Sequence, residues 1–435
     1  MPREFFAEKT QKRRSSGIRS ALLLICLMTI GAPQARRNRQ FILGADISWV
    51  DQDIDRGTRY YDGTTGKDIF DILASRKFNL IRLRTFVDPT ANPGSPEAPY
   101  STAGYCDLAH TIEFAKNIKA RGMLFLLDFH YSDLWCDPGK QFKPVSWADL
   151  PFDDLVEQVR TYTRESLEAC KAAGVLPDMV QVGNEIVNGV IWPDGSTDNM
   201  EQFAALVNAG IDGVKDVSDD IEIMIHSVAE NSPDWWIGNL IKAGVDRIDI
   251  FGLSYYSEWH GTPDSLKKRL LEITEHHPMR ILIAEYADNH EAVNDIMFDL
   301  PDGMGLGTVV WEPTRWRETL FTNNRTNERI DLYPQLAERY GNDTLPLKPP
   351  PVGIAGRERW KVSRNRPGDI LSASMNSVTV FTLQGKRVRG GFVGGNGRLN
   401  TLRQPGTNGI RTGYGVYVIT AGDRQEPAMY LPLLR

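Results

Sequence analysis

The sequence predicts an α/β fold: a (β/α)8 TIM barrel followed by a small β-sandwich-like module. Three observations carry that prediction. Eight short apolar runs alternate with eight segments of helical period between residues 41 and 340. Almost every run ends in a polar or aromatic side chain, as at the C-terminal mouth of a barrel enzyme. The length of 435 residues exceeds one average domain and fits a barrel with an appendage.

Taken in order, strands are expected over 41–46, 79–84, 123–130, 178–184, 221–226, 247–255, 280–285 and 306–311. Helices are expected between and after them, over 67–77, 107–121, 152–173, 200–217, 233–243, 264–276, 291–299 and 332–340. Ile69, Phe70, Ile72 and Leu73 form one apolar face of the first helix. Gly122 and Gly174 stop the second and third, and Pro278 ends the sixth. An open doubly wound sheet would need an early phosphate loop. The glycine cluster Gly303-Met304-Gly305-Leu306-Gly307 precedes a strand instead of following one.

The ends of the chain differ from its middle. Arg13, Arg14 and Arg19 precede the apolar stretch from Ala21 to Ile30, and Gly31, Ala32 and Ala35 follow, so residues 1–35 read as a secretory signal peptide. That stretch is short of the roughly 20 residues needed to cross a bilayer. The expected location is therefore secreted or cell-surface. Residues 36–344 form the catalytic barrel, 345–351 a Pro-rich linker, and 352–435 an all-β accessory or sorting module with short strands near Val378 and Val416. Net charge is −6, divided as +4 over 1–35, −20 over 36–347 and +10 over 348–435. A barrel this acidic makes nucleic acid an unsuitable partner. The basic tail suits contact with an anionic polymer or the cell envelope, or is simply a solvated surface. Removing Cys26 with the signal leaves Cys106, Cys136 and Cys170, an odd number without a zinc-type pair; a Cys106–Cys136 bridge stays open. No motif calls for a metal or other cofactor.

The chemistry gathers at the strand ends. Glu185 closes the fourth run and Glu285 the seventh, so two carboxyl groups face each other across a barrel mouth. A lone glutamate there would read as a surface or salt-bridged residue. A pair fits glycoside hydrolysis, in which one acid protonates the leaving oxygen and a carboxylate attacks or activates water. We assign Glu185 as acid/base and Glu285 as nucleophile. Nine of the ten tryptophans fall in or after strand ends, which favours a long carbohydrate groove over a small pocket. Serine chemistry is poorly supported, because Gly252-Leu253-Ser254-Tyr255-Tyr256 lacks the second glycine of a nucleophile elbow.

The runs Asp128-Phe129-His130-Tyr131-Ser132-Asp133-Leu134-Trp135, Gly183-Asn184-Glu185, Ser254-Tyr255-Tyr256 with Trp259-His260-Gly261, and Trp311-Glu312-Pro313 closely resemble glycoside hydrolase family 53. The resemblance runs from about Phe41 to Gly341 and implies a clan A barrel acting on the galactan side chains of pectin as an endo-β-1,4-galactanase, which makes anionic pectin the polymer that the basic tail is expected to meet. It implies retaining double displacement through Glu185 and Glu285. It also implies that Asn184 binds the sugar 2-hydroxyl, that Arg84 holds the nucleophile ionised, and that Trp311 stacks on the sugar before the cleaved bond. Tyr255 or Tyr256 should touch the nucleophile, and His260, Asp128 and His130 should join in binding substrate. The loop from His226 to Asn231 departs from the family pattern, and Ser257-Glu258 stands where Pro-Tyr is usual. Alternatives are another clan A β-glycanase, acting on mannan, xylan or glucan, and a non-catalytic sugar-binding barrel.

Overall fold

The computed structural model describes residues 40–94, 97–230, 232–342, 415–417 and 429–431. The chain separates into two units, Met1–Pro351 and Val352–Arg435. In the first, eight strands close into a parallel barrel: β1 (Ile42–Asp46), β2 (Leu80–Thr85), β3 (Leu124–Phe129), β4 (Met179–Val182), β5 (Glu222–Val228), β6 (Ile250–Tyr255), β7 (Arg280–Tyr286) and β8 (Gly305–Trp311). Each strand pairs with its neighbours in chain order, and β8 returns to β1 with Asp46 opposite Trp311. A helix of the outer layer follows each strand: α1 (Ile69–Ser75), α2 (Leu108–Ala120), α3 (Phe152–Ala172), α4 (Met200–Val217), α5 (Pro233–Lys242), α6 (Pro263–His276), α7 (His290–Phe298) and α8 (Leu332–Arg339). The expected fold class of this unit is therefore the observed one.

Local chemistry explains the boundaries. The Asp107 carboxylate accepts from the His110 N–H at the start of α2, and Thr262 accepts from the Ser265 N–H at the start of α6, where backbone donors lack helical partners. Small additions escaped the periodicity. Tyr61–Asp62 and Thr65–Gly66 form a hairpin, as do Phe321–Thr322 and Arg325–Thr326, and the two join through Tyr61 and Arg325 into a four-stranded sheet. Runs of two residues are too short to show a period.

Apolar packing forms two layers. The larger lies between strands and helices and includes Ile81, Leu83, Phe125, Leu127, Phe129, Phe251 and Leu253. The smaller fills the barrel itself, with Ile42, Leu80, Leu124, Leu126, Met179, Met224, Ile250, Leu282 and Val309 among its members. Strand residues alternate between these layers because successive side chains point to opposite faces. On β2 the inward set is Leu80, Arg82 and Arg84, so the apolar plug is capped by arginines towards the strand C-termini.

Cys106, Cys136 and Cys170 are buried and free. The Cys106–Cys136 bridge does not form: each thiol instead donates to a carbonyl, Cys106 to Ser48 and Cys136 to His130. In the second unit Gly415–Tyr417 pairs antiparallel with Met429–Leu431. The expected signal peptide, the linker and the rest of the β-sandwich-like module lie outside the described residues.

Candidate active site

A buried arginine organises the mouth of the barrel. Arg82 points inward from β2 and is 1% exposed. Its Nη1 lies 2.8 Å from Asp46 Oδ2 and 2.9 Å from Glu285 Oε1. Its Nη2 lies 2.9 Å from Asp128 Oδ2 and donates to Asn184 Oδ1 at 2.8 Å, while Nε donates to Gln181 Oε1 at 3.0 Å. A guanidinium has five N–H groups, and five acceptors surround this one. Those carboxylates hold the Arg82 pKa above its already high ordinary value against the cost of burial.

The two glutamates reach the mouth by different backbone devices. Beyond β4 the chain turns at Gly183, φ +84°, where a Cβ would lie 2.6 Å from Ile186 Cγ2. Glu185 follows in the left-handed region at φ +46°. On β7 the pairing with β6 slips between Leu253 and Ser254, so that Ile283 is opposite the first and Glu285 opposite the second. Leu282 and Ala284 point into the barrel, so strict alternation would send Glu285 outward. The bulge inserts one residue and turns Glu285 back to the mouth, where it lines the cavity.

Electrostatics divides the pair. Burial, then the charge of Glu285, pushes Glu185 up to about 8, while the Ser254 hydroxyl draws it down. Burial also raises Glu285, with Asp46 and Asp128 adding to it, but Arg82 and the Tyr256 hydroxyl oppose the rise. Glu185 is thus favoured in its protonated form, and of the two glutamates it is Glu285 that has a cation and a hydroxyl donor directly on its carboxyl group. Tyr256 donates to Glu285 Oε2 at 3.0 Å, and burial together with the Glu285 charge keeps its phenol protonated.

A relay supports Glu185. His226 is buried, and desolvation with the nearby Arg82 keeps its imidazole neutral. Its Nδ1 faces two donors, Gln181 Nε2 at 3.0 Å and the Glu185 N–H at 3.3 Å, which assigns the proton to Nε2 despite Asn184 Oδ1 at 2.9 Å. Nε2 then donates to Ser254 Oγ at 3.0 Å, leaving the serine proton for Glu185.

Both glutamates open into a cavity of about 580 Å³. Trp49, Trp135, Trp259, Trp311 and Trp316 line it, with Tyr256, His260, Asp137, Glu230, Pro138 and Val228. Trp49, Trp135 and Trp311 meet edge-on or tilted with centroids 5.4–6.3 Å apart. A carboxyl group with a raised pKa, a second one held by a cation and a hydroxyl, and a rim of indole rings form a site suited to acid-assisted cleavage of a glycosidic bond.

The profile of glycosyl hydrolase family 53 matches residues 42–297. The chain belongs to that family. Among its relatives, an uncharacterized protein of Niallia circulans is 34% identical over 64% of this chain and 84% of its own length. The endo-beta-1,4-galactanase of Bacillus subtilis is 34% identical over 63% of this chain and 70% of that protein. The structure of the Ignisphaera aggregans GH53 catalytic domain superposes with a TM-score of 0.62 at 31% identity, covering 70% of this chain and 97% of that one.

In this family 53 hydrolase, the residues expected at the site fall into two tiers. Glu185, Glu285, Tyr256, His260 and Trp311 line the cavity. Arg84, Asp128, His130 and Asn184 do not; each is at most 1% exposed and lies in the polar layer around Arg82. Asp128 holds Arg82 and also His130 Nε2 at 3.1 Å. The His130 ring supports Trp135, 5.5 Å away between centroids. Asn184 gives one N–H to the Cys136 carbonyl at 2.9 Å.

Two expectations are corrected or resolved by strand geometry. Arg84 does not hold Glu285; Arg82 does. Arg84 points the same way one pleat higher, pairs with Glu312 at 2.8 Å, and lies under the Trp49 and Trp135 rings at 5.2 and 4.6 Å. Between the two tyrosines, alternation decides. Tyr255 points out with Phe251 and Leu253 and donates to the Gly261 carbonyl at 2.8 Å, leaving Tyr256 to face the mouth. The tryptophan ring is also smaller than expected: Trp147 and Trp236 pack in the outer core, and Trp235 is exposed.

Arg82 was the residue missed. Its signal is a charged side chain of inward parity in a strand otherwise made for burial. Tyr256→Phe removes one of the two groups that oppose the rise in the Glu285 pKa. That pKa then rises further, so the acid limb of the kcat/KM profile should move to higher pH. Activity at the optimum should fall about tenfold, within the range of a lost charge-assisted hydrogen bond. An unmoved acid limb would remove Tyr256 from that role.

Proposed function

We propose that this chain is an exported endo-β-1,4-galactanase that cleaves galactan side chains of pectin, the type I arabinogalactans, by retaining double displacement. The observation that carries the reading is the unequal pair: burial and the Glu285 charge push Glu185 up to about 8, while Glu285 is held by the Arg82 guanidinium at 2.9 Å and the Tyr256 hydroxyl at 3.0 Å. Galactan is chosen because the Bacillus subtilis relative bears the name of an endo-beta-1,4-galactanase.

In the first step the Glu285 carboxylate attacks the anomeric carbon. The bond to the leaving oxygen breaks as Glu185 gives that oxygen its proton. In the second, Glu185, now ionised, takes a proton from water, whose oxygen displaces Glu285 from the same carbon. Arg82 and Tyr256 hold Glu285 in place and oppose its protonation. Asn184, next to Glu185 in the chain and tied to Arg82 and the Cys136 carbonyl, is the residue we assign to the sugar 2-hydroxyl. Trp311 offers its ring face to the sugar on the glycone side.

The test is hydrolysis of linear β-1,4-galactan against mannan, xylan and β-glucan, with the first-formed anomer followed by proton NMR. Galacto-oligosaccharides released as β anomers are expected, with activity declining above about pH 8 as the Glu185 proton is lost. Preference for another glycan would replace the substrate, α anomers would replace the mechanism, and activity retained only inside expressing cells would argue against export.

A further inference from the structure

The short helix Ser257–His260 after β6 carries Trp259, 54% exposed, into the cavity wall. It begins with the Ser257-Glu258 pair, where the sequence departs from the pattern it otherwise resembles. Both residues are used as ties. Ser257 Oγ donates to Asp288 Oδ2 at 2.6 Å, in the loop after β7. Glu258 Oε2 accepts from Arg317 Nη2 at 2.7 Å, in the loop after β8. At the other end, Arg269 of α6 donates through Nη1 to the carbonyls of His260 at 2.6 Å and Ala229 at 2.8 Å. The helix is thus held to the loops after β5, β7 and β8.

Arg317 does more than pair with Glu258. Its backbone is left-handed, φ +50°. Its guanidinium lies 5.5 Å from the Trp259 ring and 5.1 Å from the Trp316 ring. Both rings line the cavity, and Trp316 meets Trp311 edge-on at 4.9 Å. One planar cation therefore contacts two indoles from different loops while Glu258 fixes its far end. A sugar gains from an indole only if the ring face is already presented; ordering it during binding costs affinity.

We propose that Glu258 and Arg317 are positioning residues that hold Trp259 and Trp316 in place as one sugar-binding wall of the groove. Neither residue touches the Glu185–Glu285 pair, so their role is in binding the polysaccharide and not in bond cleavage. The proposal rests on the galactanase reading for its substrate.

The experiment compares Arg317→Gln, Arg317→Lys and Glu258→Gln with the full-length wild type on β-1,4-galactan, and records the indole N–H resonances of ¹⁵N-tryptophan-labelled protein. Arg317→Gln should raise KM about fivefold and leave kcat within twofold. Glu258→Gln should move KM the same way by less, Arg317→Lys should recover part of the loss, and two indole resonances should shift in Arg317→Gln. An unchanged KM, or a fall in kcat at constant KM, overturns the proposal. If wild type leaves galactan intact, the galactanase reading fails by itself. The indole spectrum then still decides the tie: two shifted resonances support it, and an unchanged spectrum overturns it.

Discussion

Glu285→Gln should abolish turnover, lowering kcat by about 10⁴-fold or more, the scale on which losing an enzymatic nucleophile is felt. Glutamine fills the same space and can still meet the Tyr256 hydroxyl, but its neutral amide cannot form the glycosyl ester. The fold should survive, because Arg82 keeps Asp46 and Asp128 as counter-charges. Reducing-end release from galactan, with circular dichroism on the same samples, makes the measurement. A second variant sharpens it. In Glu285→Ala, azide can enter the vacated space and attack the anomeric carbon from the same face, giving an α-glycosyl azide from an activated substrate. Turnover retained in Glu285→Gln would remove Glu285 as nucleophile and place the attacking group elsewhere in the mouth.

Arg82→Met should lose both stability and activity. The side chain is buried among three carboxylates, and its removal leaves Asp46, Asp128 and Glu285 without their shared cation. Breaking a buried ion pair by deleting one partner costs about 3–5 kcal/mol. The midpoint of urea unfolding should fall by a corresponding amount. Whatever folds should have its acid limb displaced to higher pH, since Arg82 is the strongest influence holding Glu285 ionised against burial. Arg82→Lys separates charge from geometry. It keeps one positive charge but brings three donors to a site built for five, so stability should recover in part and kcat less. Wild-type stability in Arg82→Met would mean that the arginine is not the hub its hydrogen bonds describe.

Strand ends were easier to read than strand faces. Eight apolar runs and their intervening helical periods appear in the order in which the barrel closes, because burial between two layers demands long apolar stretches that composition alone reveals. Glu185 and Glu285 were legible for a related reason: a carboxylic acid directly after an apolar run has few structural uses. Arg84 reads like them in the sequence because it too stands at the end of an apolar run. The register of β2 puts Arg82 one pleat lower, at the height of Glu285 and Asp46, and gives Arg84 to Glu312 and the tryptophans.

By itself, then, the sequence determined a barrel, its two acids and the kind of ring that surrounds them, since hydrophobic period and residue type are local properties of a chain. Only the tertiary structure decided how these acids are used. The β7 bulge turns Glu285 inward, alternation selects Tyr256 over Tyr255, and five acceptors from four other strands and the loop after β4 converge on Arg82. Register and distance between remote strands set these contacts. They come from packing eight strands around one plug, and no window along the chain contains them.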